Sequence, residues 1–137
     1  MEICAVKIET KDKWMIVICV YRSPSGDFNH FLRLLDMALL SLNEPSTELL
    51  ICGDFNVDYL SRSNHKQKLS LWSGAYNMTC TVDFPTRFQN GHYSAIDNIF
   101  VEKSGMRSYV IFPLSNALYD LEVQCIILNK FFSWHQS

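Results

Sequence analysis

Leu49-Leu50-Ile51-Cys52-Gly53-Asp54-Phe55-Asn56 decides how this chain is read. Four apolar residues in a row suit a strand covered on both faces, because alternation disappears when neither face meets water. The glycine marks a bend or the close approach of another group. Asp54 and Asn56 are two apart, so in a continuing strand they point to the same side. Taken locally, Asp-x-Asn after a core strand is either a turn that ends the strand or the start of a site. Ligands of layered α/β folds gather beyond the carboxyl ends of the strands, which keeps the second reading open.

Toward the N-terminus, Phe28, Phe31, Leu32, Leu35, Leu39 and Leu42 recur at helical spacing behind Asp27, a good cap, and Asn43-Glu44-Pro45-Ser46 ends that helix. Before it, Trp14 to Tyr21 is a nearly continuous apolar run that Pro24 and Gly26 close off. Residues 2–9 form another run across the polar turn Thr10-Lys11-Asp12-Lys13, and the two runs read as a hairpin. Toward the C-terminus, Asn64 with Gln67 resembles a capping box, and Leu69 and Trp72 predict a shorter helix ending at Gly74. Phe84-Pro85-Thr86-Arg87 is held extended by its proline, and Asn90-Gly91-His92 is a turn. Strands follow at Ala95–Val101, Ser108–Phe112 and Val123–Leu128, with Leu118-Tyr119-Asp120-Leu121 as a loop and Phe131 to His135 as an aromatic tail. The order β-β-α-β-α-β-β-β mixes hairpins with helical crossovers. The predicted class is α/β or α+β with a mixed sheet.

At 137 residues, 48% of them hydrophobic and 13% aromatic, the chain predicts one domain with a packed core rather than a disordered segment. Its formal net charge of −2 supplies no overall electrostatic footprint for nucleic acid. Cys4, Cys19, Cys52, Cys80 and Cys125 are widely spaced, without a C-x-x-C pair, and three lie in apolar runs. They read as small buried hydrophobes of a reducing compartment. Glu2 and Lys7 interrupt any signal-peptide pattern, and no run reaches membrane-spanning length. The expectation is a soluble intracellular chain with no membrane partner.

Polar residues stand at several strand ends: Tyr21 and Arg22, Asp54 and Asn56, Asp97 and Asn98, Asp120. Carboxylates inside or just after apolar strands are costly unless paired, hydrogen-bonded or bound to a metal. A hard divalent cation beside a phosphate ester is one economical explanation. Asp97 or Asp120 alone would more often be structural.

Together, Tyr21-Arg22-Ser23-Pro24, Gly53-Asp54-Phe55-Asn56, Phe84-Pro85-Thr86-Arg87, Ile96-Asp97-Asn98-Ile99-Phe100 and Leu118-Tyr119-Asp120 form a specific set. In order and rough spacing the chain resembles the endonuclease/exonuclease/phosphatase superfamily. Within it, the chain is most similar to the apurinic-type endonuclease domain of non-LTR retrotransposons, encoded upstream of their reverse transcriptase. The resemblance covers about residues 2–128. It implies a DNase I-like two-sheet sandwich flanked by helices, and Mg²⁺- or Mn²⁺-dependent cleavage of a DNA phosphodiester, by analogy in the nucleus. It further implies that Tyr21 contacts the scissile phosphate, that Asp54 orients or deprotonates the attacking water, and that Asn56 holds phosphate and water beside it. Asp97 matches the acid that supports the catalytic histidine. Asp120 matches the acid of the final Ser-Asp-His motif, close to the metal. Arg22 and Asn98 are carried over as substrate-binding residues.

Two departures weigh against activity. Leu121 stands where the family has its histidine, and leucine can neither donate a hydrogen bond nor carry charge. Loss of one such preorganised donor costs about 3–4 kcal/mol of transition-state stabilisation. His92, in a turn before Asp97, is the one histidine placed to substitute, and a solvated loop residue is its ordinary reading. Met1 directly precedes the strand that would follow the family's N-terminal half, so the metal-binding Glu of that half has no counterpart. Glu2 and Glu9 do not match it by context. Such a chain should leave an open strand edge and an apolar face, through which it would self-associate or be completed by another chain.

The expectation is therefore a truncated, degenerate retrotransposon-type endonuclease domain over residues 1–130, with weak or lost hydrolysis, and a tail of unassigned role over 131–137. One alternative is an active metal-dependent nuclease or phosphatase with substitute ligands. Another is a non-catalytic nucleic-acid- or protein-binding module, using Arg22, Arg87, Lys103 and Arg107 as phosphate contacts.

Overall fold

The computed structural model describes residues 1–11, 13–104, 109–114 and 123–128. The elements are β1 (Glu2–Glu9), β2 (Trp14–Tyr21), α1 (Phe28–Leu42), β3 (Thr47–Asp54), α2 (Asn64–Ala75), β4 (Met78–Cys80), β5 (Arg87–Gln89), β6 (His92–Ser94), β7 (Asp97–Glu102), β8 (Tyr109–Leu114) and β9 (Val123–Leu128). The central sheet runs β1-β2-β3-β7-β4. Its β2–β3 pair is parallel, which requires a crossover, and α1 supplies it; its other pairs are antiparallel. The mixed α/β class expected from the sequence holds. The element order differs at one place, where the three short strands β4, β5 and β6 intervene between α2 and β7. Asn90 and Gly91 both take positive φ (52° and 79°), the conformation of a tight hairpin turn, so the stretch after Pro85 folds back as β5–β6.

α1 buries Phe28, Phe31, Leu35 and Leu39, and Asp27 caps it by accepting from the His30 amide. α2 is capped one residue earlier than its capping-box pattern suggests: the Ser63 hydroxyl, not Asn64, accepts from the Lys66 amide at 3.1 Å. Ile18, Ile51 and Phe100 are fully buried beneath these helices. Phe100 meets Phe55, Tyr59 and Trp72 edge-on at centroid distances of 5.1, 6.1 and 6.4 Å. That geometry suits aromatic quadrupoles.

The opposite face of the sheet carries Met15, Leu50, Ile99 and Val101, and the β8–β9 hairpin covers part of it through Tyr109, Ile111, Ile126 and Leu128. The molecule is thus layered as helices, sheet and hairpin. Between β9 and the β1–β2 side of the sheet lies an apolar groove of about 500 Å³, lined among others by Ile8, Met15, Val17, Cys52 and Ile126. β1 is one edge strand of the central sheet, β4 the other, and all eight residues of β1 are exposed. Among the described residues the cover ends short of the β1 side, which corrects one sequence reading: Cys4 and Cys19 are exposed, while Cys52, Cys80 and Cys125 are half-buried. Among the described residues, no helix is long and apolar enough to cross a membrane.

Candidate active site

Three strands bring the principal candidates to one rung. Tyr21 is the register partner of Asp54 across β2–β3, and Asp54 is the partner of Asp97 across β3–β7. Glu2 stands opposite Tyr21 and continues the rung onto β1. Directly opposed residues share a face of the sheet. The order along the rung is therefore Glu2, Tyr21, Asp54, Asp97, at the carboxyl end of the parallel pair. Tyr21 is 44% exposed, and both aspartates are half-buried.

The local sequence explains why the chain turns here. Gly53 takes φ +138°, and a Cβ on it would lie 2.0 Å from the Val20 carbonyl oxygen. Only glycine permits that approach of β3 to β2. Past Asp54 the chain reverses: Asn56 has φ 48°, its amide donates to Asp54 Oδ1 at 2.9 Å, and its side-chain Nδ2 donates to the Arg22 carbonyl at 2.7 Å. The turn reading and the site reading of Asp-x-Asn are thus one arrangement. Asn56 sits beside Asp54 with its side-chain amide tying the Arg22 segment to the turn.

Arg22 and Asn98, expected on the substrate, are placed inside. Arg22 is 2% exposed; its Nη1 donates to the Phe55 and Asn56 carbonyls at 3.2 and 3.3 Å, and its Nη2 to the Gly26 carbonyl at 3.3 Å. Its guanidinium carbon lies 5.0 Å from the Phe28 ring centroid. Burial lowers its pKa, while Asp54 opposes that shift. Asn98 is fully buried: its Oδ1 accepts from the Val82 and Ile99 amides, and its Nδ2 donates to the Val82 carbonyl at 3.2 Å. These residues shape the floor of the site: the Asn98 amide and both Arg22 Nη groups are bonded to backbone, while Arg22 Nε is buried without a hydrogen-bond partner among the described residues.

Thr86 is a site residue that the sequence reading quoted in a motif but did not assign. It is fully buried; its hydroxyl donates to Asp97 Oδ2 at 2.9 Å and accepts from the Ile96 and Asp97 amides at 3.1 and 3.3 Å. The only available signal was its place after Pro85, since the partner comes from the returning strand. Burial raises the Asp97 pKa most, the Thr86 hydrogen bond lowers it, neighbouring Asp54 raises it and Arg87 lowers it. The Asp54 pKa is raised by burial, against the Asn56 amide, Arg87 and Arg22, which lower it. Two neighbouring carboxylates in a partly dry site therefore hold protons more tightly than free aspartates do. Arg87 is the cation facing both.

Asp54 and Asp97 are hard oxygen donors of the kind Mg²⁺ or Mn²⁺ takes. Among the described residues, however, no group of three or more His, Cys, Asp or Glu side chains could hold a metal ion. Glu2 is on the same rung but two strands from Asp54. These residues do not by themselves fit the metal. Asp120, the expected ligand, lies outside the described residues, as do Tyr119, Leu121, Arg107 and the 131–137 tail. His92 is exposed on β6, and Lys103 is exposed after β7.

A family model described as endonuclease–reverse transcriptase matches residues 15–120. The chain belongs to that family, within the endonuclease/exonuclease/phosphatase superfamily. Among solved structures it is similar to the endonuclease domain of TRAS1, a telomere-specific non-LTR retrotransposon, at 15% identity over 92% of this chain and 61% of that one, with a TM-score of 0.79. It is also similar to an endonuclease/exonuclease/phosphatase family protein from Leptotrichia buccalis, at 15% identity over 74% of this chain and 42% of that one, with a TM-score of 0.54. The beta toxin of Staphylococcus aureus matches at 16% identity over 83% of this chain and 48% of that one, with a TM-score of 0.57. At these identities the likeness is one of fold. No curated protein matches.

Proposed function

We propose that this chain is a retrotransposon-type endonuclease domain in which phosphodiester hydrolysis of DNA is weak or lost. The observation that carries the reading is the rung Tyr21–Asp54–Asp97 with Asn56 beside it, at the carboxyl end of the parallel pair. In this arrangement the exposed Tyr21 hydroxyl would donate to a phosphate oxygen. Asp54, its pKa raised by burial, is the stronger base for a water between it and Asn56. Asp97 is fixed by Thr86, and Arg87 would offset phosphate charge. A divalent cation, implied for the family, would supply Lewis-acid stabilisation of the phosphoryl oxygens. Asp120 is the residue proposed to hold it.

What supports impairment is the donor set. Among the described residues no group of three or more His, Cys, Asp or Glu could hold a metal ion, and Leu121 stands in the sequence where the family has its histidine. Groups that act as a unit lose most of their effect when one is removed. A domain that acts on chromosomal DNA would work in the nucleus, and that location belongs to the same proposal.

The test is nicking of supercoiled plasmid in Mg²⁺ and in Mn²⁺. The expected result is no metal-dependent nicking above buffer. Nicking that disappears on Asp54→Ala would overturn the reading and show a working enzyme.

A further inference from the structure

Two register pairs along the strands from the site rung, and next on the same face, lies a second rung, made of cysteines. Cys19 on β2 is the register partner of Cys52 on β3, and Cys4 on β1 stands opposite Cys19. All three share the face of Tyr21 and Asp54: Cys19 and Cys52 come two residues before those residues, and Cys4, on the antiparallel β1, two residues after Glu2. The Cys19 and Cys52 sulfurs are 3.7 Å apart. We infer that Cys19 and Cys52 form an oxidisable dithiol, which closes to a disulfide between β2 and β3 under a peroxide oxidant.

Three observations favour this over inert burial. The spacing of adjacent strands, about 4.8 Å, lies inside the Cα window that a disulfide spans, so side-chain rotation closes most of the gap. Cys19 is exposed and meets the oxidant first, whereas Cys52 is half-buried and lies behind it. Burial, with the neighbouring Cys19, pushes the Cys52 thiol up, and the exposed Cys19 is the initial nucleophile.

The step balances as follows. The Cys19 thiolate gives an electron pair to one peroxide oxygen, the O–O bond breaks, and the released hydroxide leaves as water after taking a proton. Cys19 is then a sulfenic acid. The Cys52 sulfur attacks the Cys19 sulfur, the S–S bond forms, the S–O bond breaks, and a second water carries away the thiol proton. Two thiols lose two electrons, and the peroxide gains them. The bridge would tie β2 to β3 two register pairs below Tyr21 and Asp54, next to the Val20–Gly53 pair, where a Cβ on Gly53 would meet the Val20 backbone. The inference does not depend on whether that site hydrolyses anything.

The experiment is peptide mapping of the full chain after exposure to hydrogen peroxide, with free thiols alkylated before digestion. The expected product is a Cys19–Cys52 cross-linked peptide, lighter than its two parts by two hydrogen atoms and split by dithiothreitol. Cys4→Ser should leave its yield unchanged, and Cys19→Ser should abolish it. A Cys4–Cys19 bridge in its place, sulfinic acid at Cys19 with Cys52 still free, or no loss of thiols would each overturn the inference.

Discussion

The Thr86 hydroxyl donates to the Asp97 carboxylate, and it does so while accepting from two amides of the same strand end. One buried oxygen thus sets the carboxylate and the backbone beneath it. Thr86→Val keeps the shape and removes the donor and the acceptor. The expected loss is about 1–3 kcal/mol of stability, the usual cost of orphaning buried polar groups. Urea unfolding should report it as a lower midpoint with an unchanged slope.

The aspartate pair ties stability to pH. Both carboxyl groups have folded-state pKa values raised above the unfolded ones, with burial as the first cause. The folded state therefore binds their protons more tightly. The stabilisation this brings is complete below the unfolded carboxylate pKa and is lost as pH rises through the folded values. Asp54→Asn retains an oxygen to accept from the Asn56 amide and removes the charge. It should stabilise the chain at pH 7 by less than about 1 kcal/mol, since the group is half-exposed and screened. The gain should vanish toward the acid end of a series of urea melts between pH 7 and pH 3.5. A gain that grows toward acid would contradict the sign.

Gly53→Ala sets a Cβ against the Val20 backbone at a position with φ +138°. Backbone cannot yield as a side-chain tip can. The expected cost is more than about 3 kcal/mol, read as a fall in the thermal midpoint or as failure to fold. An Ala variant as stable as the parent would mean that β2 and β3 are not in this register.

Arg22→Lys separates a structural role from a surface one. A lysine keeps the charge and cannot reach the Phe55, Asn56 and Gly26 carbonyls together. The expected destabilisation is about 2–4 kcal/mol, with little dependence on salt, since a buried group is poorly screened. A substrate-facing arginine would instead tolerate the change in unfolding experiments.

What could be read ahead of the structure followed from short-range rules. The apolar run into Gly53-Asp54 located β3, the helical spacing from Phe28 to Leu42 located α1, and the family motifs brought Tyr21, Asp54 and Asp97 to one place. What could not be read depended on partners far along the chain. Arg22 looks like a phosphate contact in its motif, yet its guanidinium meets carbonyls contributed by the turn after β3. Asn98 looks like a site amide, yet it ties down Val82. Cys19 sits in an apolar run and is exposed all the same, because the β8–β9 cover stops before it. Burial belongs to the layers, and a local string carries no record of where a layer ends.

The wholly exposed edge strand bears on how the rung moves. β1 is held by its ladder to β2 and by the exposed Lys7–Glu44 ion pair, with no buried residue of its own. Its apolar side chains Ile3, Val6 and Ile8 are already 40–51% exposed, so opening it uncovers less apolar surface than opening a central strand, and its amides should exchange at a free energy below that of global unfolding. At the other end, β7 is flanked by β3 and β4 and locked by Thr86. The four-residue rung is therefore graded in stiffness: Asp97 stands on a part of the sheet that opens only with the whole fold, and Tyr21 stands one strand away from the part that opens first.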